Sequence, residues 1–397
     1  MSRIDQLIAE LCHDGVEFYE LGELGLRNKG TTITAGQMKS IQIEGGPIRV
    51  FAGGQTIADV AESAVPVKDV VRVPSIIVKS RGHIGFTYYD RLFTHKAELW
   101  SYSINHKDVD QKFVYYFLLT KVELLQEIAR ATSVKLPQLS VKDTDTLRIP
   151  VPPIEIQREI VKALDMFTEL EAELEAELEA RRRQYQYYRD TLFAFSDQNV
   201  CWTTMAEVGE FFRGRRFTKN DYVLDGIRCI HYGDIYTRYG TATTTTVSHV
   251  RSDMASALRF AKPGDLIIAG VGETVEDVGK AVAWLGNGEV AIHDDCFAFR
   301  HSLNPKFVSY YFQASAFHAE KNKFVARAKV KRLAAESLGK LTIPVPSPEE
   351  QERIVAILDA FDGLVNDLSK GLPAEIKARR QQYEFYRNRL LDFQEAV

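Results

Sequence analysis

"IPVPPIEIQREIVKALD" occupies Ile149–Asp165, and "IPVPSPEEQERIVAILD" occupies Ile343–Asp359. Ten of the seventeen positions agree, at an offset of 194 residues in a chain of 397. In both copies the alternate prolines exclude a helix and enforce an extended segment. The stretch after each proline pair is rich in helix formers. The same connector is therefore written twice, and the match extends outward in both directions. Upstream, "KFVYYF" (Lys112–Phe117) matches "KFVSYYF" (Lys306–Phe312), the shared Lys-Phe-Val keeping the offset of 194. Downstream, "RRRQYQYYRDTLFAF" (Arg181–Phe195) matches "RRQQYEFYRNRLLDF" (Arg379–Phe393) at an offset of 198, so the second copy has gained four residues. "GVEFYELGELG" (Gly15–Gly25) aligns loosely with "NVCWTTMAEVG" (Asn199–Gly209).

Between these anchors lie two divergent blocks, roughly 15–148 and 199–342. Short runs such as "SIIV", "DLIIAGV", "KAVAWLGNGEVAI" and "CFAF", bounded by Gly, Pro and Asp, read as strands. Asn287-Gly288 supplies a hairpin turn, and "KFVYYFLLTKVELLQEIA" reads as a helix closing the first block. The repeated blocks differ in kind. Glu155–Phe195 contains no Gly or Pro and predicts a helix about 60 Å long. Leu174, Leu178, Tyr185, Tyr188 and Leu192 recur at spacings of four and three, with Arg181 at the missing rung, which describes a coiled-coil seam. The second copy carries Leu372, Ile376, Tyr383, Tyr386 and Leu390, preceded by Leu358 and Phe361. Its four-residue insertion is a stutter of about one turn, and "GLP" (Gly371–Pro373) predicts a kink or a capped break.

The expected fold is α+β: two mixed α/β domains joined by two long antiparallel helices that bury their seams on each other, with an internal pseudo-twofold repeat. The boundaries follow from the repeat. Residues 1–150 hold an N-terminal helix and the first domain, and 151–197 the central spacer. Residues 198–344 hold the second domain, and 345–397 the second spacer.

The chain is 45% hydrophobic, 26% charged and 11% aromatic, an ordinary globular composition. Cys12, Cys201, Cys229 and Cys296 are scattered without a CxxC pair, which argues against disulfides or a zinc site and fits the cytoplasm. The opening "MSRIDQLIAELCHDG" has no apolar core of a leader segment, and no apolar run suggests a membrane helix. Catalytic motifs are missing. "GETVEDVGKA" (Gly272–Ala281) lacks the spacing and the hydroxyl of a phosphate loop. "GVG" opens no dinucleotide fingerprint. "HDDC" (His293–Cys296) reads as a strand whose alternating side chains cannot converge on a metal. His83, His95, His231 and His318 are lone histidines. No catalytic residue and no metal ligand is assigned.

The net charge of −4 hides local clustering of cations. "RGRRFTK" contributes Arg213, Arg215, Arg216 and Lys219. "KNKFVARAKVKRL" (Lys321–Leu333) contributes Lys329, Lys331 and Arg332 and contains no acid. The first block offers Arg27, Lys29, Lys79, Arg81 and Lys135, and Tyr232 adds an aromatic surface to the second. Long cations on irregular loops suit phosphate contacts, with some reaching base edges. Two frames with differing surfaces suit an object that reads two different signals. The competing readings are a coiled-coil adaptor without a DNA role and a stand-alone metal-dependent nuclease acting through "HDDC".

With its twice-used "IPVP" connector, its "RRRQYQYYRDTLFAF" and "RRQQYEFYRNRLLDF" helix ends and its "LIAELCHDGVEFYELGELG" opening, the chain resembles the specificity (S) subunit of a Type I restriction–modification enzyme. "SRGHIG" and "KVKRLAAESLGKLTIPVP" are similar to segments of the family's target recognition domains. The resemblance covers essentially the whole chain. It implies two such domains, each reading one part of a bipartite, gapped, asymmetric site in double-stranded DNA. It also implies helices that dock two methyltransferase (M) subunits and, through them, restriction (R) subunits. S-adenosylmethionine, ATP and Mg²⁺ would then sit on those partners, with no cofactor on this chain. Two features depart from the pattern: the "GLP" interruption, and "AGVGETVEDVG", which is longer and more acidic than "KSRGHIG".

Overall fold

Both connectors hold their extended form by pairing with the strand that opens their own domain. Arg148–Val151 runs antiparallel to Glu17–Glu20, and Thr342–Val345 runs antiparallel to Cys201–Thr204. The loose alignment of the two openings is thus a structural equivalence. The computed structural model describes residues 3–132, 136–195, 200–325, 330–367 and 369–396. It divides into two units, Met1–Leu174 with Ile376–Val397, and Glu175–Glu375. Each unit combines one variable block with helical segments from both repeats.

In the first unit a four-stranded antiparallel sheet runs in the order Gly25–Lys29, Trp100–Ile104, Ser75–Lys79, Gly85–Tyr89. A three-stranded sheet places Ile48–Phe51 between Ile57–Val60 and Phe93–His95. Ile76, Ile77 and Val78 are completely buried; each such aliphatic side chain contributes about 1.5–3 kcal/mol by leaving water. The closing segment is two helices rather than one, Gln111–Thr120 and Val122–Thr132, capped at Lys121. Asp110 starts the first, its carboxylate accepting from the backbone N–H groups of Lys112 and Phe113.

The second unit holds two five-stranded sheets. One runs Gly209–Arg213, Cys296–His301, Leu266–Ala269, Ala281–Trp284, Ala242–Thr243; the other runs Tyr222–Val223, Ser248–Val250, Ile227–Ile230, Val290–Ile292, Phe260–Ala261. The expected hairpin at Asn287-Gly288 is not formed. Ala281–Trp284 and Val290–Ile292 leave the turn for different sheets, and Trp284 Nε1 donates to Gly288 O at 2.8 Å to hold the turn itself. Asn-Gly makes the turn, but strand pairing is decided by where each apolar face is buried.

The central spacer is one helix of 39 residues, Ile154–Leu192. The second is broken into Pro348–Asn366 and Leu372–Leu390, at the place "GLP" marks. Gly371 sits so close to the preceding helix that a Cβ there would lie 2.6 Å from the Gly363 and Leu364 carbonyl oxygens. Among the described residues no helix is long and apolar enough to cross a membrane.

Candidate nucleic-acid interface

Sheet register brings Lys29 and Lys79, two of the predicted cations of the first unit, to one edge. Lys29 pairs with Trp100, which pairs with Val78, so Lys29 and Lys79 end the two strands that flank Trp100–Ile104, at the same end of the sheet. The loop after Lys79 carries Arg81, whose backbone bridges to Gln138. Gly82 N–H donates to Pro137 O at 2.8 Å. Arg27 is committed differently: its guanidinium lies 3.0 Å from Asp145, which also accepts from Tyr102 Oη at 2.5 Å. Lys135 lies outside the described residues.

The second unit repeats this geometry with other side chains. Arg213 pairs with Phe297, which pairs with Ile268, so Arg213 stands at the end of the sheet where Leu266–Ala269 gives way to a loop. In that loop Val271–Gly272 forms a short antiparallel ladder with Lys331–Arg332. Arg213 and Arg332 converge on Asp295, at 3.9 and 3.7 Å. Arg215, Arg216 and Lys219 are exposed and make no ion pair with the described residues. Tyr232 is half-buried, 4.2 Å between ring centroids from His231. Lys329 lies outside the described residues. Lys321, which opens the same basic run in the sequence, is completely buried.

"HDDC" is a turn between two strands, not a strand. His293, Asp294 and Asp295 do converge, with ligand atoms within 4.8 Å of one another. The imidazole of the three is hydrogen-bonded on both nitrogens. His293 Nδ1 accepts from Asp295 N–H and Nε2 faces Phe217 O, each at 3.1 Å. Arg213 lies near both carboxylates. The cluster works as an anionic buttress for two arginines. His95 is buried against Ser101 and Lys96, and burial lowers its pKa. Burial, with His293 alongside, likewise lowers that of His231.

The repeated residues build two equivalent junctions. Lys112 reaches Asp165 at 2.8 Å and Lys306 reaches Asp359 at 2.5 Å. Gln157 accepts from Asp110 N–H and donates to Pro152 O; Gln351 accepts from Asn304 N–H and donates to Pro346 O. Every one of these pairs keeps the offset of 194. The seam is built from aromatic contacts at both junctions. In the first unit Phe167 meets Tyr383 and stacks on Tyr386, at 6.3 and 5.6 Å, and Glu171 pairs with Arg380 at 2.5 Å. Numbers rise along one helix as they fall along the other, so these segments are antiparallel. In the second unit Tyr185 and Tyr188 stack on Phe361, at 6.3 and 5.2 Å. Leu174, Tyr185, Leu372 and Ile376 are buried, and Leu178, Leu192, Tyr383 and Leu390 pack against their units' cores. Tyr188 and Tyr386 stay 40% and 36% exposed, at the margin of the seam rather than inside it. Phe167 stands one heptad before Leu174 and 194 residues before its repeat mate Phe361, so the seam begins a heptad earlier than Leu174.

A duplicated frame with two differently lined basic edges defines a two-headed recognition protein. The family described as "Type I restriction modification DNA specificity domain" matches twice, over residues 13–180 and 199–378. The chain is 31% identical over 290 residues to the specificity subunit of the type I restriction enzyme EcoR124I/EcoR124II of Escherichia coli, covering 71% of this chain and 70% of the relative. A putative type I specificity subunit of Haemophilus influenzae is 28% identical over 314 residues, with 73% and 74% covered. The solved S subunit of a type I restriction–modification system from M. genitalium superposes with a TM-score of 0.56 at 16% identity, covering 95% and 96% of the two chains. A chain solved in a study of type I complex assembly and conformational transition gives 0.59 at 16%, covering 95% and 97%. This chain belongs to the type I restriction–modification DNA specificity family, whose members are the non-catalytic specificity subunits of those systems.

Proposed function

We propose that the chain reads a bipartite, gapped, asymmetric site in double-stranded DNA, one element with each variable block. The observation that carries this reading is the pair of equivalent edges. Lys29 ends its strand in one unit as Arg213 does in the other; the loop beyond the next strand carries Arg81 in the first unit, and in the second it is met by Lys331 and Arg332 from the segment that pairs with it. A common frame fixes the docking on phosphates, and differing side chains read differing base edges. Arg215, Arg216 and Lys219 add phosphate contacts in the second unit, and Lys135 and Lys329 share that role, one in each unit.

The helical segments dock two methyltransferase subunits through exposed aromatic residues at the seam margin, among them Tyr187, Tyr188, Phe385 and Tyr386. Restriction subunits join through them. S-adenosylmethionine belongs to the methyltransferase subunits, and ATP and Mg²⁺ to the restriction subunits, all working in the cytoplasm. Exchanging residues 199–342 for the matching block of a relative tests the division of labour. One element of the methylated motif should change while the other stays; a change in both, or in neither, contradicts it.

A further inference from the structure

Lys321 ends the helix Ser315–Lys321, and its side chain is removed from solvent. Its ammonium donates to the carbonyl oxygens of Val275 and Val278 at 2.8 Å each, and of Glu276 at 3.4 Å. An ammonium has three hydrogens to give, and all three acceptors lie within four residues of one loop. Burying a charge is costly, and a methionine of similar length would fill the space without that cost. Burial lowers the pKa of this lysine to about 8. The return is conformational: three carbonyls are fastened at one point.

That loop leaves the strand Leu266–Ala269 at the basic edge. Just before the fastened carbonyls, Gly270 O accepts from Leu333 N–H at 3.0 Å, and Val271–Gly272 pairs with Lys331–Arg332. After them Gly279 adopts φ +88°, and a Cβ there would come within 2.9 Å of Lys321 Cδ. The loop closes on the lysine stem and leaves no space for a side chain.

The first unit uses the same device with a neutral side chain. Gln126 lies on Val122–Thr132, the helix that comes after the closing helix there, as Ser315–Lys321 does in the second unit. Its amide accepts from Ile84 N–H at 3.0 Å and donates to Gly82 O at 3.3 Å. The loop it holds comes after Ser75–Lys79 and carries Arg81.

We propose that Lys321 and Gln126 are positioning residues for recognition, each fastening from inside its unit the loop that sets the basic edge. The inference rests on the DNA-reading function proposed above. A loop held before binding loses no further conformational entropy when DNA arrives, and an edge fixed in place discriminates between bases rather than adapting to them.

The test uses the full chain assembled with its methyltransferase subunits and a set of duplexes in which each recognised base pair is varied in turn. Lys321→Met should weaken cognate binding at least tenfold and flatten discrimination at the element read by the second unit only. Gln126→Leu should do the same at the other element. Lys321→Gln, which keeps two donors, should recover part of the loss. If Lys321→Met does not assemble, Gln126→Leu carries the test, because that side chain is half-buried and uncharged. Unchanged discrimination, or a loss spread evenly over all sequences, overturns the inference while the wild-type complex still reads a bipartite site. A wild-type complex that reads no such site overturns the function itself.

Discussion

Tyr116 donates its hydroxyl hydrogen to a carboxylate oxygen of Asp165 at 2.6 Å, while Lys112 holds the other oxygen at 2.8 Å. Tyr310, Lys306 and Asp359 repeat the arrangement in the second unit. Burial, then the carboxylate, pushes both phenols well above their usual pKa. One acid thus ties each closing helix to its spacer. Asp165→Ala should lower the stability of the first unit by about 1–3 kcal/mol, the range for losing a charge-assisted pair. Asp359→Ala should do so in the second. Hydrogen exchange, resolved by peptide, will show whether the loss stays within the unit that was changed; equal loosening of both would argue against two separate junctions.

The seam separates folding from docking. Leu178→Asp with Tyr185→Asp places carboxylates among buried side chains and should cost about 3 kcal/mol or more. Tyr188→Ala with Tyr386→Ala should stay within about 1 kcal/mol, because both rings are exposed. The second pair should instead weaken capture of the methyltransferase subunits, measured by titration calorimetry. Wild-type capture by that pair would remove those rings from the docking surface.

Phosphate contacts are read in the salt dependence. Replacing Arg215, Arg216 and Lys219 by Ala should weaken DNA binding and reduce the slope of log K against log salt by up to about 3, near 0.9 for each phosphate that is no longer neutralised. An unchanged slope would return these three cations to plain solvated surface.

Acid should loosen the second unit first. The His318 imidazole is held down to about 4 by burial, with Lys321 and Arg189 lowering it further and Asp190 and Glu276 opposing. Its unfolded value is about 6.5, so its contribution is complete above that pH and is lost as pH falls toward 4. The amount is on the order of 1–2 kcal/mol, since solvent reaching the half-buried ring screens part of the effect. His318→Gln should flatten the fall in melting temperature of the second unit between pH 6.5 and 4; an unaltered slope would assign the acid sensitivity elsewhere.

The frame is legible because duplication prints it twice. Lys112, Asp165, Gln157 and their mates stand out by offset alone, and the alternate prolines of the connectors announce both strand pairs. The basic edges are visible as clusters but not as one surface, since only the register with Trp100 brings Lys29 and Lys79 to the same end of the sheet. Lys321 escapes a linear reading for a physical reason: a lysine among lysines looks solvated until three carbonyls are found around it. "HDDC" and Asn287-Gly288 mislead alike, because local pattern does not say which sheet a strand will join. Phe167 was within reach, just beyond the first connector at the same offset from Phe361.

Two differing edges on one repeated frame are proposed to read two elements of one site. The direct measurement is the adenine methylation pattern of DNA from cells that express this chain with its methyltransferase subunit, beside cells that lack this chain. The expected pattern is a split motif, two short defined elements around a fixed unspecified gap, present only with the chain. A continuous palindrome, or the same methylation without the chain, would contradict it.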